Sequence, residues 1–287
     1  MSARRFLVTG AGGPAGRSLV EQLVRRGVPV VAADMASVEL PSVPVRRLPA
    51  ATDPGFCDAL LTLAAESAAD VVVPTVTEEL VVLAGTAERA GGPRVVVASA
   101  QAVRIANDKL MTCDALARAG VPVPRYAVPA GQREPHLGLP FLSKPRVGRG
   151  GRGVSLHYDP AAAVTTDSSL LLQEFVPGTE YAPNLYLAED PADDVVVVLR
   201  KSELRDGLTG NAVAVDRVRA VDVAAVAQAA ARAVGLRGPV DVDIRRRADG
   251  TPVVLEINAR FGANSRYAPE VLDALLRQYE VPGSAVA

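Results

Sequence analysis

Residues 241–260 alternate apolar and oxygen-bearing side chains on both sides of Asp249-Gly250, with Asp241-Val242-Asp243-Ile244 before it and Leu255-Glu256-Ile257-Asn258-Ala259-Arg260 after it. Alternation with period two around an Asp-Gly pair predicts two antiparallel strands joined by a two-residue turn. Counting outward from that turn sets Asp243 opposite Glu256 and Asp241 opposite Asn258, with Val242, Ile244, Leu255 and Ile257 on the other face. Directly opposed like charges destabilise a sheet, their Cβ atoms being only ~5 Å apart, so the arrangement asks for a cation. Two carboxylates and an amide are hard oxygen donors of the kind magnesium takes, its remaining positions going to water and substrate phosphates. Pro252 cannot donate to a ladder, which puts the hairpin on an edge or beside a bulge and lets the pairing slip by one residue. A solvated hairpin rim is the alternative reading of the same four side chains.

Only three lysines stand among twenty-eight arginines. Arginine serves nearly every other cationic position, so a lysine marks a place that needs a compact ammonium on a flexible stem rather than a planar fork. Lys109 lies in Asn107-Asp108-Lys109 and Lys144 in Ser143-Lys144-Pro145. Lys144 leads into Arg146-Val147-Gly148-Arg149-Gly150-Gly151-Arg152-Gly153, a stretch whose backbone can approach phosphate oxygens closely and donate to them. Lys201, beside Arg200, is the third lysine in a segment that reads as nucleotide chemistry, with a solvated strand end as the alternative reading.

Asn107-Asp108-Lys109, then Ser143-Lys144-Pro145 with its glycine loop, then Gln173-Glu174-Phe175-Val176-Pro177-Gly178-Thr179-Glu180-Tyr181, then Glu256-Ile257-Asn258-Ala259-Arg260 together resemble the ATP-grasp superfamily. The likeness is to its carbamoyl-phosphate-synthase-like and amino-acid-ligase branches, and it rests on the joint order and spacing of the four segments. It implies an α/β chain in which an ATP-grasp fold, two α+β lobes enclosing ATP, follows a small Rossmann-like parallel domain. The expected boundaries are 1–105 for that first domain, 106–169 for the glycine-loop lobe, and 170–287 for the lobe with the adenine segment and hairpin. Thr165 to Ser169 is read as the polar connection between the two lobes. Because the chain closes soon after the Asn-x-Arg motif, the extra carboxy-terminal domain of the carboxylase branch is not expected, nor is a biotin-attachment segment.

The resemblance also implies roles. Lys109 and Lys144 contact phosphates or the adenine edge, with Gly150, Gly151 and Gly153 in the phosphate loop. Glu174, Phe175 and the backbone around Val176 recognise adenine, and Glu180 binds the ribose hydroxyls. Asp243, Glu256 and Asn258 hold one or two magnesium ions, with manganese as a substitute and Asp241 as an outer support. Arg260 stabilises the transferring phosphoryl group, while Arg200 and Arg205 clamp the γ-phosphate or the acceptor. Asn264, Ser265 and Arg266 reach the acceptor substrate. Glu78 and its neighbour Glu79 are candidates for selecting an amine, with an acid pair that starts a helix as the favoured reading. The implied activity is that of an ADP-forming carboxylate–amine ligase. A carboxylate is phosphorylated to an acylphosphate, and an amine on an amino acid or similar metabolite displaces phosphate.

The amino-terminal third carries the rival. Arg5 to Thr9 reads as a strand, followed by Gly10-Ala11-Gly12-Gly13-Pro14-Ala15-Gly16, a helix through Leu19, Val20, Leu23 and Val24, and a strand from Val28 to Ala33 that ends at Asp34. Gly10-x-x-Gly13-x-x-Gly16 with Asp34 resembles a dinucleotide fingerprint, which makes an NAD(P)-dependent oxidoreductase the competing function. A non-catalytic nucleotide-binding partner is a third reading. No Tyr-x-x-x-Lys pair accompanies the fingerprint, and the loop misses a P-loop by Ala11 and Arg17. Glycines needed only for strand-to-helix packing are the structural alternative. Further strands are expected at Asp70–Thr75 and Arg94–Ala98, and helices at Asp108–Ala119, closed by Gly120, and at Val221–Val234.

A chain of 287 residues with 49% hydrophobic content is long enough to bury a substantial core in two or three lobes. Its net charge of -1 gives no signature of nucleic-acid or anionic-membrane binding, and the resemblance implies a small-molecule carboxylate and amine as partners, with a homodimer as the one assembly considered. Cys57 and Cys113 form no Cys-x-x-Cys motif and read as packing residues of a reducing compartment. No leader or spanning segment is evident, so the expected location is the cytoplasm. His136 and His157, the only histidines, neighbour no serine or cysteine in a nucleophile motif. Triad hydrolysis is therefore not expected, whereas phosphoryl transfer to a carboxylate needs no protein nucleophile.

Overall fold

Phe6–Val8 (β1) is apolar at every position, as a parallel strand covered on both faces requires, and all three side chains are 0% exposed. The computed structural model describes residues 4–85, 92–129, 137–148, 150–159, 161, 166–204 and 212–279. In it β1 is the centre of a five-stranded parallel sheet, between Val30–Asp34 (β2) and Val71–Val73 (β4). Val45–Arg47 (β3) and Arg94–Val95 (β5) complete the order β3-β2-β1-β4-β5. Pro14–Arg25 (α1) buries Leu19 and Leu23 with Phe6 and Val8 on one face. Phe56–Glu66 (α2) buries Phe56 and Leu60 with Leu7 and Val72 on the other, and Thr77–Leu83 (α3) follows β4. The turn between β1 and α1 is tight. A Cβ on Gly16 would stand 2.3 Å from the Gly10 carbonyl oxygen, so glycine is required there by backbone packing alone.

Ala100–Asn107 (α4) leads into Lys109–Arg118 (α5), whose start is fixed by Asp108. The Asp108 carboxylate caps the helix by accepting from the amides of Leu110 and Met111 at 2.9 and 3.3 Å, and it also accepts from Arg146 Nη2 at 2.5 Å. Tyr126–Ala127 (β6), Phe141–Pro145 (β7), Ser155–His157 (β8) and Leu170–Glu174 (β9) form an antiparallel sheet in the order β6-β9-β7-β8. β9 pairs with β7 from Phe141↔Glu174 to Pro145↔Leu170. The lobe junction expected between residues 169 and 170 is therefore corrected. The polar residues before Leu170 connect strands of one sheet, and the chain leaves that sheet only after Glu174.

The largest sheet contains Glu180–Tyr181 (β10), Asn184–Leu187 (β11), Val195–Val197 (β12), Leu199–Leu204 (β13), Ala212–Arg217 (β14), Gly238–Arg246 (β15) and Pro252–Asn258 (β16). β15 is its axis. One of its edges takes β10 and β11 end to end, and the other takes β16. Val221–Ala233 (α6) lies on this sheet through Ala227, Ala230 and Ala231, all 0% exposed, small side chains that permit a close approach. Pro269–Gln278 (α7) returns the chain to its beginning. Val271, Leu272, Leu275 and Leu276 enter one cluster with Phe6, Leu19 and Leu23, and each such side chain contributes about 1.5–3 kcal/mol by burial. The rings of Phe6 and Tyr279 meet edge to face at 6.2 Å, and Arg26 pairs with Asp273 at 2.8 Å. Among the described residues no helix is long and apolar enough to cross a membrane.

Candidate active site

The hairpin of β15 and β16 turns one residue wider than predicted. The Arg247 amide donates to the Thr251 carbonyl at 2.9 Å, which leaves a three-residue loop, Ala248-Asp249-Gly250, with Gly250 at φ +89° where a side chain would be strained. Arg246, Arg245 and Ile244 then face Pro252, Val253 and Val254. A bulge at Leu255 restores the predicted pairing of Asp243 with Glu256 and Asp241 with Asn258. Loop and bulge offset each other by one residue. Leu255 is corrected in consequence: it leaves the apolar face expected for it, lines the central cavity, and its carbonyl oxygen accepts from Lys144 Nζ at 3.1 Å.

Alternation carries the acidic face across three neighbouring strands. Arg245, two residues beyond Asp243, pairs in register with Glu180 of β10, and its Nε donates to Glu180 Oε2 at 2.6 Å. Lys201 of β13 donates from Nζ to Glu180 Oε1 at 2.5 Å and to Asp243 Oδ1 at 2.6 Å. Its side chain is only 7% exposed, so it is no solvated strand end. Burial alone would lower the Lys201 ammonium, but the Asp243 and Glu180 carboxylates overcome that and raise it. Arg200, expected on the γ-phosphate, takes the outward position of β13 and pairs with Asp216 at 3.0 Å. Parity explains the exchange. Lys201 shares a face with buried Leu199, and Arg200 does not.

Asp241 is closed in beneath this face. Asn184 Nδ2 reaches its Oδ1 at 3.3 Å, and a Cβ on Gly262 would lie 2.5 Å from its carboxyl carbon. Burial first, and then the charge of Asp243, push the Asp241 carboxyl up to about 7. Glu256 remains half-open to the cavity, and among the described residues no group of three or more His, Cys, Asp or Glu side chains is arranged to hold a metal ion.

The opposite wall comes from α5 and the glycine loop. Lys109, in the first turn of α5, donates to the Gly148 carbonyl at 2.9 Å and stands 3.7 Å from Glu256 Oε1. Lys144 on β7 is fully enclosed, and burial lowers its ammonium against the raising effect of Glu256. Gly150 and Gly151 line the cavity with φ of +65° and +72°. Gly153, expected in the phosphate loop, does not line it. A Cβ there would stand 2.9 Å from Pro145 Cγ, so this glycine serves the packing of the loop on β7.

At the far end, Glu174, Val176 and Gln173 line the cavity, but the Glu174 carboxylate is engaged by the Arg125 amide at 2.9 Å and Nε at 3.2 Å. Phe175 lies against the Arg245 guanidinium at 5.6 Å and is absent from the lining. Gln173 is 1% exposed, and its Nε2 finds no hydrogen-bond partner among the described residues. At the near end Arg260 binds Asn258 Oδ1 through Nη2 at 3.2 Å and Thr77 Oγ1 of α3 through Nε at 3.2 Å. Asn264 lines the cavity beside it. Ser265 does not: it is 1% exposed with Oγ 3.2 Å from Ser18 Oγ, turned toward α1. Arg266 lies over the Tyr267 ring at 4.5 Å, outside the lining. Glu78 and Glu79 both stand in the first turn of α3, as the helix-start reading has it; Glu78 is exposed, Glu79 is buried against the Thr9 hydroxyl at 2.5 Å, and neither lines the cavity. Arg205 lies outside the described residues.

Sequence reasoning marks Lys201 as a notable lysine without a role in the site, does not single out Arg245 or Asn184, and takes in Gln173 only as part of its motif. The first two carried a signal in strand parity. Asn184 carried none, since it meets Asp241 only through the pairing of β11 with β15.

The glycine turn of the first sheet is occupied by the chain itself. Asp34 Oδ2 accepts from the Gly12 amide at 2.8 Å, and a Cβ at Gly12 would lie 2.6 Å from Val38 Cγ2. The acid that a dinucleotide fingerprint reserves for a ribose is spent on the amide it needs for pyrophosphate. Magnesium-ATP is expected to raise the melting temperature, by about 2.7 kcal/mol of stabilisation at a hundred times its Kd, with NADH and NADPH silent. Thermal-shift measurement checks this, and a nicotinamide response without an ATP response would reverse the assignment.

Residues 106–264, more than half of the chain, match the family model of the ATP-grasp domain. The chain belongs to the ATP-grasp family. Among curated proteins it is similar to the uncharacterized protein y4rH of Sinorhizobium fredii, 34% identical over an alignment of 180 residues that covers 52% of this chain and 35% of that protein. The chain thus spans about a third of the length of that relative. Its ATP-grasp fold is similar to the crystal structure of an L-amino acid ligase from Bacillus licheniformis, with TM-score 0.70 and 20% identity over 92% of this chain and 69% of that one. It is likewise similar to N5-carboxyaminoimidazole synthase from Aspergillus clavatus in complex with ADP and 5-aminoimidazole ribonucleotide, with TM-score 0.70 and 17% identity over 98% and 77% of the two chains. A biotin carboxylase from Campylobacter jejuni gives TM-score 0.70 and 14% identity over 98% and 71%.

Proposed function

We propose that this ATP-grasp chain is an ADP-forming carboxylate–amine ligase acting through an acylphosphate. One observation carries the reading: two lysines from the glycine-loop side meet the acidic hairpin across a single cavity, Lys109 at 3.7 Å from Glu256 and Lys144 at 3.1 Å from the Leu255 carbonyl. In this reading the phosphates of ATP lie on Lys109, Lys144 and the amides of Gly150 and Gly151. The backbone of Glu174 to Val176 reads the base, joined by the Gln173 amide, a buried donor of the kind a ligand satisfies. Glu180 takes the ribose hydroxyls.

Asp243, Glu256 and Asn258 would hold a magnesium ion, which supplies charge neutralisation for the phosphate oxygens. The donor set fits. Magnesium is bound by one or two carboxylates and completed by phosphates and water, and two opposed acids on one face carry the surplus of negative charge it needs. Arg260, held between Asn258 and Thr77, faces the transferring phosphoryl group, and Asn264 the acceptor. A carboxylate oxygen of the substrate attacks the γ-phosphorus and ADP leaves. The amine nitrogen then attacks the acyl carbon, phosphate departs, and the nitrogen loses a proton to give the amide. No protein nucleophile is needed for this transfer. The amine belongs to an amino acid or a similarly small metabolite, in keeping with a fold shared with an L-amino acid ligase.

Hydroxylamine tests the reaction class without the natural amine. With magnesium-ATP and a panel of carboxylates, the correct acid is expected to yield a hydroxamate and ADP in equal amounts. Release of AMP and pyrophosphate would mean adenylation and would overturn the mechanism. Nucleotide binding with no turnover on any acid would favour the non-catalytic reading.

A further inference from the structure

Lys201 stands where the ligase reading needs a vacant carboxylate. Its ammonium bridges Glu180, the ribose acid of that reading, and Asp243, the metal acid, at 2.5 and 2.6 Å. All three side chains are largely withdrawn from solvent, at 7%, 10% and 24% exposure, so the bridge is a desolvated one. We propose that Lys201 is an exchangeable counter-cation, which occupies Asp243 in the nucleotide-free chain and must leave it before a divalent ion takes that carboxylate. The inference rests on the proposed function for the identity of the incoming ligands.

Charge and distance carry it. A magnesium ion sits about 2.0–2.1 Å from a carboxylate oxygen. An ammonium already at 2.6 Å from Asp243 Oδ1 competes for that oxygen and repels the ion. The lysine stem is long enough to move, but a buried ammonium left unpaired is strongly destabilising. Released from Asp243, Lys201 therefore needs another anion, and the phosphates of a nucleotide supply one. Ribose hydroxyls arriving at Glu180 compete for the oxygen that anchors Lys201 at its other end, while Arg245 keeps the second oxygen of Glu180 in place. The divalent ion alone must expel Lys201 to Glu180 as its single remaining anion, with no second one to receive it. With nucleotide bound, the expulsion is compensated. The two ligands are then positively coupled through one side chain, and the coupling is reciprocal.

The probe is manganese, titrated with and without ADP and followed by the paramagnetic resonance of the free ion. The parent is expected to bind manganese weakly alone and more tightly with ADP. Lys201→Met is expected to bind manganese alone at least about fivefold more tightly than the parent, and to show a smaller gain on adding ADP. Adding Asp243→Asn to Lys201→Met is expected to abolish the increase. The unsubstituted chain offers a second readout, because its three lysines give only three signals when labelled at Cε. The Lys201 signal is expected to move when magnesium is added to the ADP complex. Lys201→Met binding manganese no more tightly than the parent, or a Lys201 signal that stays in place, overturns the proposal. A parent that binds no manganese even with ADP overturns the ligase reading as well.

Discussion

Glu256→Gln is expected to lower turnover with magnesium-ATP by at least about a hundredfold, the scale of losing one well-placed electrostatic group, while the fold stays intact. The substitution keeps the volume and removes one of two directly opposed charges, Glu256 facing Asp243 in register. Relief of that repulsion offsets the loss of the acid facing buried Lys144, so the melting temperature of the ligand-free variant stays close to the parent's. Lys109 loses an acid at 3.7 Å but keeps its bond to the Gly148 carbonyl. Asp243 is not its equivalent, because Lys201 depends on Asp243 at 2.6 Å and a neutral residue there leaves a buried ammonium with one partner fewer. The measurement is kcat beside a thermal melt. Full magnesium-dependent turnover in Glu256→Gln would remove this residue from the machinery.

A second large effect is expected from Glu79, away from the cavity. Burial, opposed by the Thr9 hydroxyl and reinforced by the charges of Asp34 and Glu78, pushes its carboxyl from the ordinary 4.5 up to about 7. A group whose folded value is raised holds more protons in the folded state than in the unfolded one between those two pH values. Its favourable contribution is complete below the unfolded value and is lost as pH rises through the folded one. A shift of this size corresponds to about 3 kcal/mol. Glu79→Gln keeps an oxygen for the Thr9 hydroxyl and has no charge to bury. Its stability relative to the parent is therefore expected to rise steadily from about pH 5 to about pH 8 in urea titrations, approaching that difference at the upper end. A pH-independent difference would show that Glu79 ionises normally in the folded chain.

The hairpin shows how far sequence reasoning reaches and where it stops. The pairing of Asp243 with Glu256 was legible because side-chain alternation on a sheet is strict. The route to it was not, since a wider loop and a compensating bulge leave the same residues opposed. The placement of Leu255 is where the difference tells, for only the bulge turns its carbonyl to Lys144. The exchange of Lys201 for Arg200 has a different origin. Motif position favoured either cation, whereas the parity of Leu199 decides between them, and a local pattern outweighs a motif. The junction at residues 169 and 170 failed because strand partnership is non-local: Leu170–Glu174 is assigned to its sheet by β7 and β6, not by the polar residues before it. Ser265 and Glu79 are drawn away from the cavity for a related reason. Each is a polar residue beside the site in sequence whose side chain is taken up by an element from elsewhere in the chain, Ser18 of α1 and Thr9 after β1.

The return of α7 to the first strand has a bearing on how this chain is made. Arg4 Nε donates to the Tyr279 carbonyl across 275 positions, and Phe6 finds the ring of Tyr279. All five strands of the first sheet precede α7 in the chain, but the cluster around Phe6, Leu19 and Leu23 is completed only by the α7 side chains. At ordinary synthesis rates those side chains follow roughly ten seconds to a minute later. Over that interval an apolar face of the nascent unit is exposed, so a unit translated well before α7 is among the last to reach its final packing.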